Sequence, residues 1–244
     1  MFLFHSIFGT KHIIILIISL LLIVGLSILS RKISFNKVCK SLFYLGIVSE
    51  IVKIFTYIII NEEKFGGYLP KTDLPFHLCS IQIIFIAIVN ITKSENLKRF
   101  ILSFMFPSCL IGGAAALLIA TDSSLNVWPI TIQYYIFHIA IIVFSIRMIG
   151  SQDVKFEIKD YFNCLKFLVI IMFFAIYINS MLYDGESNIN FMYVVKPPKA
   201  NLPYLNDNNG WLSYVLRYML LIIVSITACY IRPIILAIKS KKKA

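Results

Sequence analysis

The run HIIILIISLLLIVGLSILS at residues 12–30, followed at once by Arg31 and Lys32, decides the class of this chain. No charged residue occurs between Ile13 and Ser30. At 1.5 Å per residue, the run approaches the ~30 Å that a helix must cover to cross the hydrocarbon of a bilayer. It does not read as a secretory leader. No basic segment precedes it, no small-residue cleavage site of the A-x-A kind follows, and the chain turns basic from Arg31 to Lys40.

The rest of the sequence repeats the theme. Of its 244 residues, 59% are hydrophobic and 14% are charged, with a mean hydropathy of +0.84. A water-soluble domain carries roughly a quarter charged residues, so the expected solvent is lipid. Apolar runs of membrane length fall at 13–30, 41–60, 74–92, 100–120, 129–149, 161–182 and 212–236. They show no two-residue alternation and are too long for barrel strands. The expected fold is therefore all-α, one polytopic bundle of seven membrane helices occupying residues 1–244.

The formal charge of +11 is not gathered on one face, as nucleic-acid binding would require; it sits in short clusters at the ends of apolar runs. One set of connections holds fifteen basic residues, among them Arg31, Lys98, Arg147, Arg232 and Lys241, and the other set holds five. The positive-inside rule then places the C-terminus in the cytoplasm and, with seven spans, the N-terminus outside. A composition rich in Ile, Lys, Asn and Phe suggests a bacterial source and hence the plasma membrane. The expected partners are membrane lipids, with no nucleic acid. The five cysteines lie away from outward loops and form no C-x-x-C pair, so neither a disulfide framework nor a metal or cofactor site is expected.

Polar residues inside spans usually face a bundle interior or a cavity. His77 and Cys79 lie in the motif Leu74-Pro75-Phe76-His77-Leu78-Cys79, and His138 closes Tyr134-Tyr135-Ile136-Phe137-His138. His12, Gln133, Asn179 and Arg217 stand near the same ends of their spans, while Glu50 and Lys53 share one helix face. Counted from the span starts, Cys79 should lie roughly 6 Å and His138 roughly 12–14 Å below the outer surface. Polar groups from several helices thus converge on the outer half of the membrane. Each also has a plainer reading: a histidine bonded to a neighbouring helix, a cysteine packed as a small apolar residue, a salt-bridged Glu50–Lys53 pair, or an arginine reaching for headgroups. A cysteine can attack an acyl carbonyl when a histidine removes its proton. Cys79 and His138 would have to meet across two helices. The outer connection at about 183–211, with Pro197-Pro198, Pro203 and Asn206–Gly210, is long enough for a lid or a simple linker.

These motifs resemble the bacterial YwaF-type integral membrane proteins, which are related to eukaryotic transmembrane protein 164. The likeness includes His12, Glu50, the Leu74–Cys79 motif, Gln133, His138, Asn179, the stretch from Asn190 to Pro198, and Gly210-Trp211. It implies a bundle of six to seven helices. From the eukaryotic branch it also implies a lipid acyltransferase with a cysteine nucleophile and a histidine. His77 and His138 match that pattern, but Phe76 stands where the family cysteine is expected, leaving Cys79 as the nearby thiol. The implied catalytic set is His138, His77 and Cys79, with Arg217, Asn179, Gln133 and His12 as candidate substrate contacts. A non-enzymatic transporter, or a protein that binds lipid or solute in the same cavity, is the competing reading.

Overall fold

The structure, a computed structural model, describes residues 9–60, 67–119, 127–149, 154, 156–198, 204–206 and 208–241. Of the basic residues counted above, Lys64, Lys155, Lys199, Lys242 and Lys243 fall outside these, as do residue 120 of the fourth expected span and residues 199–203 and 207 of the long loop. The described residues form helices and connections, with no strand. Helix α1 is Thr10–Ser30 and α2 is Phe35–Phe55, prolonged by a π-turn over Thr56–Ile60. Then follow α3 (Leu78–Ile91), α4 (Glu95–Leu118, with an internal π-turn at Ser108–Gly112) and α5 (Trp128–Ile149). The chain ends with α6 (Ile158–Leu182), α7 (Trp211–Cys229) and α8 (Ile231–Lys241).

Six of these helices, α1, α2, α4, α5, α6 and α7, are long and apolar enough to cross a membrane. The third, α3, has only 14 residues, or ~21 Å. The expected span 74–92 therefore loses its first four residues. Proline explains this. A residue before proline is pushed out of the helical region, and Leu74, ahead of Pro75, has ψ 151°. His77 is extended too, with ψ 152°, and helix begins only after it. The expected span 212–236 also breaks, at Tyr230 (φ −95°, ψ 12°). Pro233 has no N–H to offer the carbonyl four residues back, so the ladder cannot run through. Tyr230 is fully buried, donates to the Ser103 carbonyl at 2.7 Å, and packs its ring against Phe106 and Phe156.

Helix ends are tied by charged and polar side chains that answer backbone groups or one another. Buried Arg147 donates to the carbonyls of Ser30 (3.1 Å) and Ile33 (3.2 Å) across the α1–α2 turn. Arg99 at the start of α4 grips Asp160 through two bonds of 2.6 and 2.7 Å, and Asp160 also accepts from the Glu157 N–H to cap α6. Glycines set the closest approaches. A Cβ on Gly46 would come within 2.7 Å of Ile83, and one on Gly113 within 2.7 Å of Ile142. The rings of Phe85, Phe104 and Phe167 fill the space between α3, α4 and α6. Aliphatic side chains on α1 and α7, such as Leu21 and Leu216, are left exposed, as suits helices whose outer faces meet lipid.

Candidate functional site

The short third helix places its N-terminus inside the bundle. Its register with α2 follows from Asn90, which donates to the Cys39 carbonyl, and from Ile83 against Gly46. Seven residues separate the members of each pair on both helices, so Leu78 comes opposite residue 51, eight residues short of Ile59 or ~12 Å. The register with α4 agrees. Leu78 packs on Gly112, and Gln82 reaches Ser108, so α3 begins six residues or ~9 Å short of Leu118. Cys79 is thus ~10–14 Å inside the ends of its neighbours, deeper than the ~6 Å counted from sequence. His138 lies ten residues, ~15 Å, below the start of α5 at Trp128. The contacts of α5 with α2 (Ser49 to Gln133) and with α4 (Gly113 to Ile142) set Cys79 against the stretch of α5 from about residue 132 to residue 144, which contains His138.

The start of α3 offers donors. A helix leaves its first N–H groups without intrahelical partners and carries partial positive charge at that end. His77 provides no side-chain cap, and the first backbone bond of the helix runs from the Ile81 N–H to the His77 carbonyl. Cys79, half-buried, sits in this first turn. One turn on, Gln82 is almost fully buried and donates its Nε2–H groups to the Leu78 carbonyl (3.1 Å) and to Ser108 Oγ (3.0 Å). Ser108 opens the π-turn of α4, an irregularity that occurs frequently at functional sites. This π-turn packs against both α3 and α5: Gly112 meets Leu78, beside Cys79, and Gly113, the residue after the turn, meets Ile142, one turn from His138. No hydrogen bond joins Cys79 to His138 among the described residues.

His138 is buried, and its Nδ1–H donates to the Tyr134 carbonyl at 2.6 Å, with the Tyr134 ring 4.1 Å away between centroids. This fixes the tautomer of the neutral ring and leaves the lone pair on Nε2, which accepts from no described residue. His77, by contrast, points its Nε2–H at the Thr72 carbonyl (3.0 Å) and lays its ring 5.0 Å from Phe191. Phe76 packs edge-on against Phe174 and Phe191, so the position expected to hold the family cysteine is part of an aromatic cluster.

Phe191 belongs to a clamped loop. Asn179 donates to the Phe191 carbonyl (3.1 Å) and accepts from its N–H (2.8 Å). The next carbonyls, of Met192, Tyr193 and Val194, accept from Tyr218, Tyr214 and the Trp211 indole respectively. Asn190 closes the turn through the N–H groups of Val195 and Lys196 and the Lys196 carbonyl. Within this frame Met192 and Tyr193 both take left-handed backbone conformations, φ 56° and 53°. Such residues persist only where their surroundings over-determine them.

The other residues singled out from sequence hold the scaffold. His12, fully buried, donates to the Leu117 carbonyl at 3.0 Å, answering the frayed end of α4. Arg217 donates to the carbonyls of Ser213, Tyr204 and Asn206 and ties down the loop before α7. Gln133 accepts from Ser49 across the α2–α5 contact, and Lys53 pairs with Glu50 at 2.7 Å. Asn179 contacts Phe191 backbone. Sequence reasoning missed Gln82, Ser108 and the tyrosines of α7. Tyr214 and Tyr218, four apart and next to the long loop, were the available signal. Between α2 and α5 runs a groove of about 380 Å³, lined by Leu45, Val48, Val52, Ile132 and Ile136, with Ser49 and Gln133 its polar rung. No set of three or more His, Cys, Asp or Glu side chains able to hold a metal ion occurs among the described residues.

Comparison with known proteins adds one finding. The model of the TMEM164 family matches residues 7–230, and the chain belongs to that family. No curated protein and no solved structure matches it.

Proposed function

We propose that this TMEM164-family chain is a phospholipid acyltransferase, moving a fatty acyl group onto a lysophospholipid within the bilayer. The observation that carries the reading is the interrupted third helix. Its N-terminus, with Cys79 in the first turn, opens inside a bundle of membrane-length helices, against the stretch of α5 that contains His138. Cys79 takes the part that Phe76 cannot.

In the proposed cycle, His138 Nε2 removes the Cys79 proton as sulfur attacks the ester carbonyl of a donor phospholipid. The first N–H groups of α3 stabilise the oxyanion. Collapse breaks the ester bond, and the departing lysophospholipid takes its proton from His138. The hydroxyl of an acceptor lysophospholipid then gives its proton to His138 and attacks the thioester, which releases the acceptor's new ester and returns the proton to sulfur. His77 holds the segment before α3 in place through Thr72. The chemistry requires Cys79 and His138 to come within hydrogen-bonding distance. Gly112 and Gly113 permit close approach on the two sides, to Leu78 beside Cys79 and to Ile142 one turn from His138. The groove between α2 and α5 suits an acyl chain, being lined almost wholly by aliphatic and aromatic side chains. In this reading α3 and the segment before it complete a seventh crossing, the site faces the outer leaflet, and the chain is a YwaF-type protein of a bacterial plasma membrane.

The test supplies labelled lysophospholipid to membranes holding wild type, His138→Ala, Cys79→Ala or no protein, and measures diacyl product. Product in wild type, absent from both variants, is expected. Equal product in all four, with the proteins shown to be folded, would overturn the reading. Activity retained in Cys79→Ala alone would remove the covalent step.

A further inference from the structure

We infer that Gln82 is the binding contact for the hydroxyl of the acceptor lysophospholipid, through a buried carbonyl oxygen that accepts from no described group; the inference rests on the acyltransferase reading for its choice of ligand. Gln82 is 1% exposed, and its Oε1 is buried without a hydrogen-bond partner, whereas both N–H groups of the same amide are engaged. The amide cannot simply be turned over. Leu78 offers a carbonyl oxygen, which must meet a donor. Ser108 donates its own proton to the Phe104 carbonyl at 2.7 Å, leaving its lone pair for Gln82. The network therefore fixes Oε1 as an acceptor.

Its position is informative. The Leu78 carbonyl belongs to the Leu78–Cys79 peptide bond, so the Gln82 side chain, bent back by one turn, lies beside Cys79. Residues three apart share a helix face, and Cys79 and Gln82 share this one. A buried acceptor left alone is destabilising and calls for a donor. A lysophospholipid differs from a complete phospholipid in having one hydroxyl where the second ester would be. That hydroxyl must approach sulfur to take the acyl group. Gln82 Oε1 accepts its hydrogen bond and orients the oxygen toward the thioester. The proton itself leaves to His138, so Gln82 is a binding contact and takes no part in proton transfer.

The experiment uses the full chain in phosphatidylcholine nanodiscs, with no acyl donor added. It compares binding of labelled lysophosphatidylcholine with that of an analogue whose free hydroxyl is replaced by hydrogen. Wild type is expected to prefer the hydroxyl form by roughly tenfold. Gln82→Met and Gln82→Leu are expected to bind both forms alike, and a ratio reads only the folded fraction. Equal binding by wild type, or a tenfold preference kept by both variants, overturns the inference. Absence of diacyl product in the activity assay would instead sink the acyltransferase reading while leaving a measured hydroxyl preference intact.

Discussion

Replacing Asn179 by Leu should release the loop at 190–196 without unfolding the bundle. Asn179 answers both backbone groups of Phe191, a residue that is 1% exposed. Leu keeps the volume and removes both partners. Each buried, orphaned group costs ~1–3 kcal/mol, and taking ~1.5 for each gives ~3 kcal/mol. The left-handed Met192 and Tyr193 hold a further ~1–3 kcal/mol apiece, which opening relieves. The loop therefore opens locally, and 3 kcal/mol corresponds to more than a hundredfold in the opening constant. Hydrogen exchange read on peptides covering 188–196 should accelerate by that order, with α6 amides unchanged. Exchange within twofold of wild type would refute the claim that Asn179 holds the loop. A matching acceleration throughout α6 would refute the claim that the loop opens alone.

Asp160→Asn should lower thermal stability by ~3 kcal/mol, since it weakens a buried, two-bond partner of Arg99 and the cap of α6; an unchanged melting temperature would contradict this. Gly113→Val should cost ~1–3 kcal/mol, because even the first added carbon falls 2.7 Å from Ile142, and a denaturation series in detergent would read it. Lys71, first, and then Ser187 and Glu186 hold the Asp184 carboxyl well below the usual carboxylate range, at the surface where the segment before α3 meets the loop after α6. A depressed folded value means that the stabilising contact is fully present above the unfolded value near ~3.9 and lost as pH falls through the folded one. Protease susceptibility of this loop should therefore be flat from pH 5 to 8 and rise only below ~4, and Asp184→Asn should abolish the pH response.

The long apolar helices were legible because nothing competes with them: five or more turns of Ile, Leu and Phe cannot be placed in water. The breaks were not read, although their causes stand in the sequence. Pro75 stands where a span beginning at 74 would have its first turn, a position that proline favours, yet it draws Leu74 into extended backbone, and helix waits until Leu78. That shift carries Cys79 deeper, against the stretch of α5 that contains His138. Pro233 likewise ended the last span early. Side-chain roles were least legible. A histidine near a span end reads the same whether it serves a ligand or a backbone carbonyl, and His12 serves Leu117.

That distinction separates the polar residues of this region into two sets. His12, Asn179, Arg217, Tyr214 and Tyr218 all direct donors at backbone carbonyls, and in doing so hold the ends of α4, α6 and α7 and the clamped loop. Mutating any of them should change stability or loop opening before it changes chemistry. His138 and Gln82 are different: the Nδ1–H of His138 is held by Tyr134, which turns the Nε2 lone pair away from that bond, and both N–H groups of Gln82 are engaged while its buried Oε1 has no partner. The N-terminus of α3 supplies the complementary donors. Acyl transfer to a hydroxyl needs one acceptor to take the proton, one to orient the hydroxyl and donors for an oxyanion. Gln82 and the N–H donors meet at the first turn of α3 beside the π-turn of α4, and His138 stands one turn from Ile142, which Gly113 meets; that coincidence of need and supply is why the acyltransferase reading is preferred to a solely structural one.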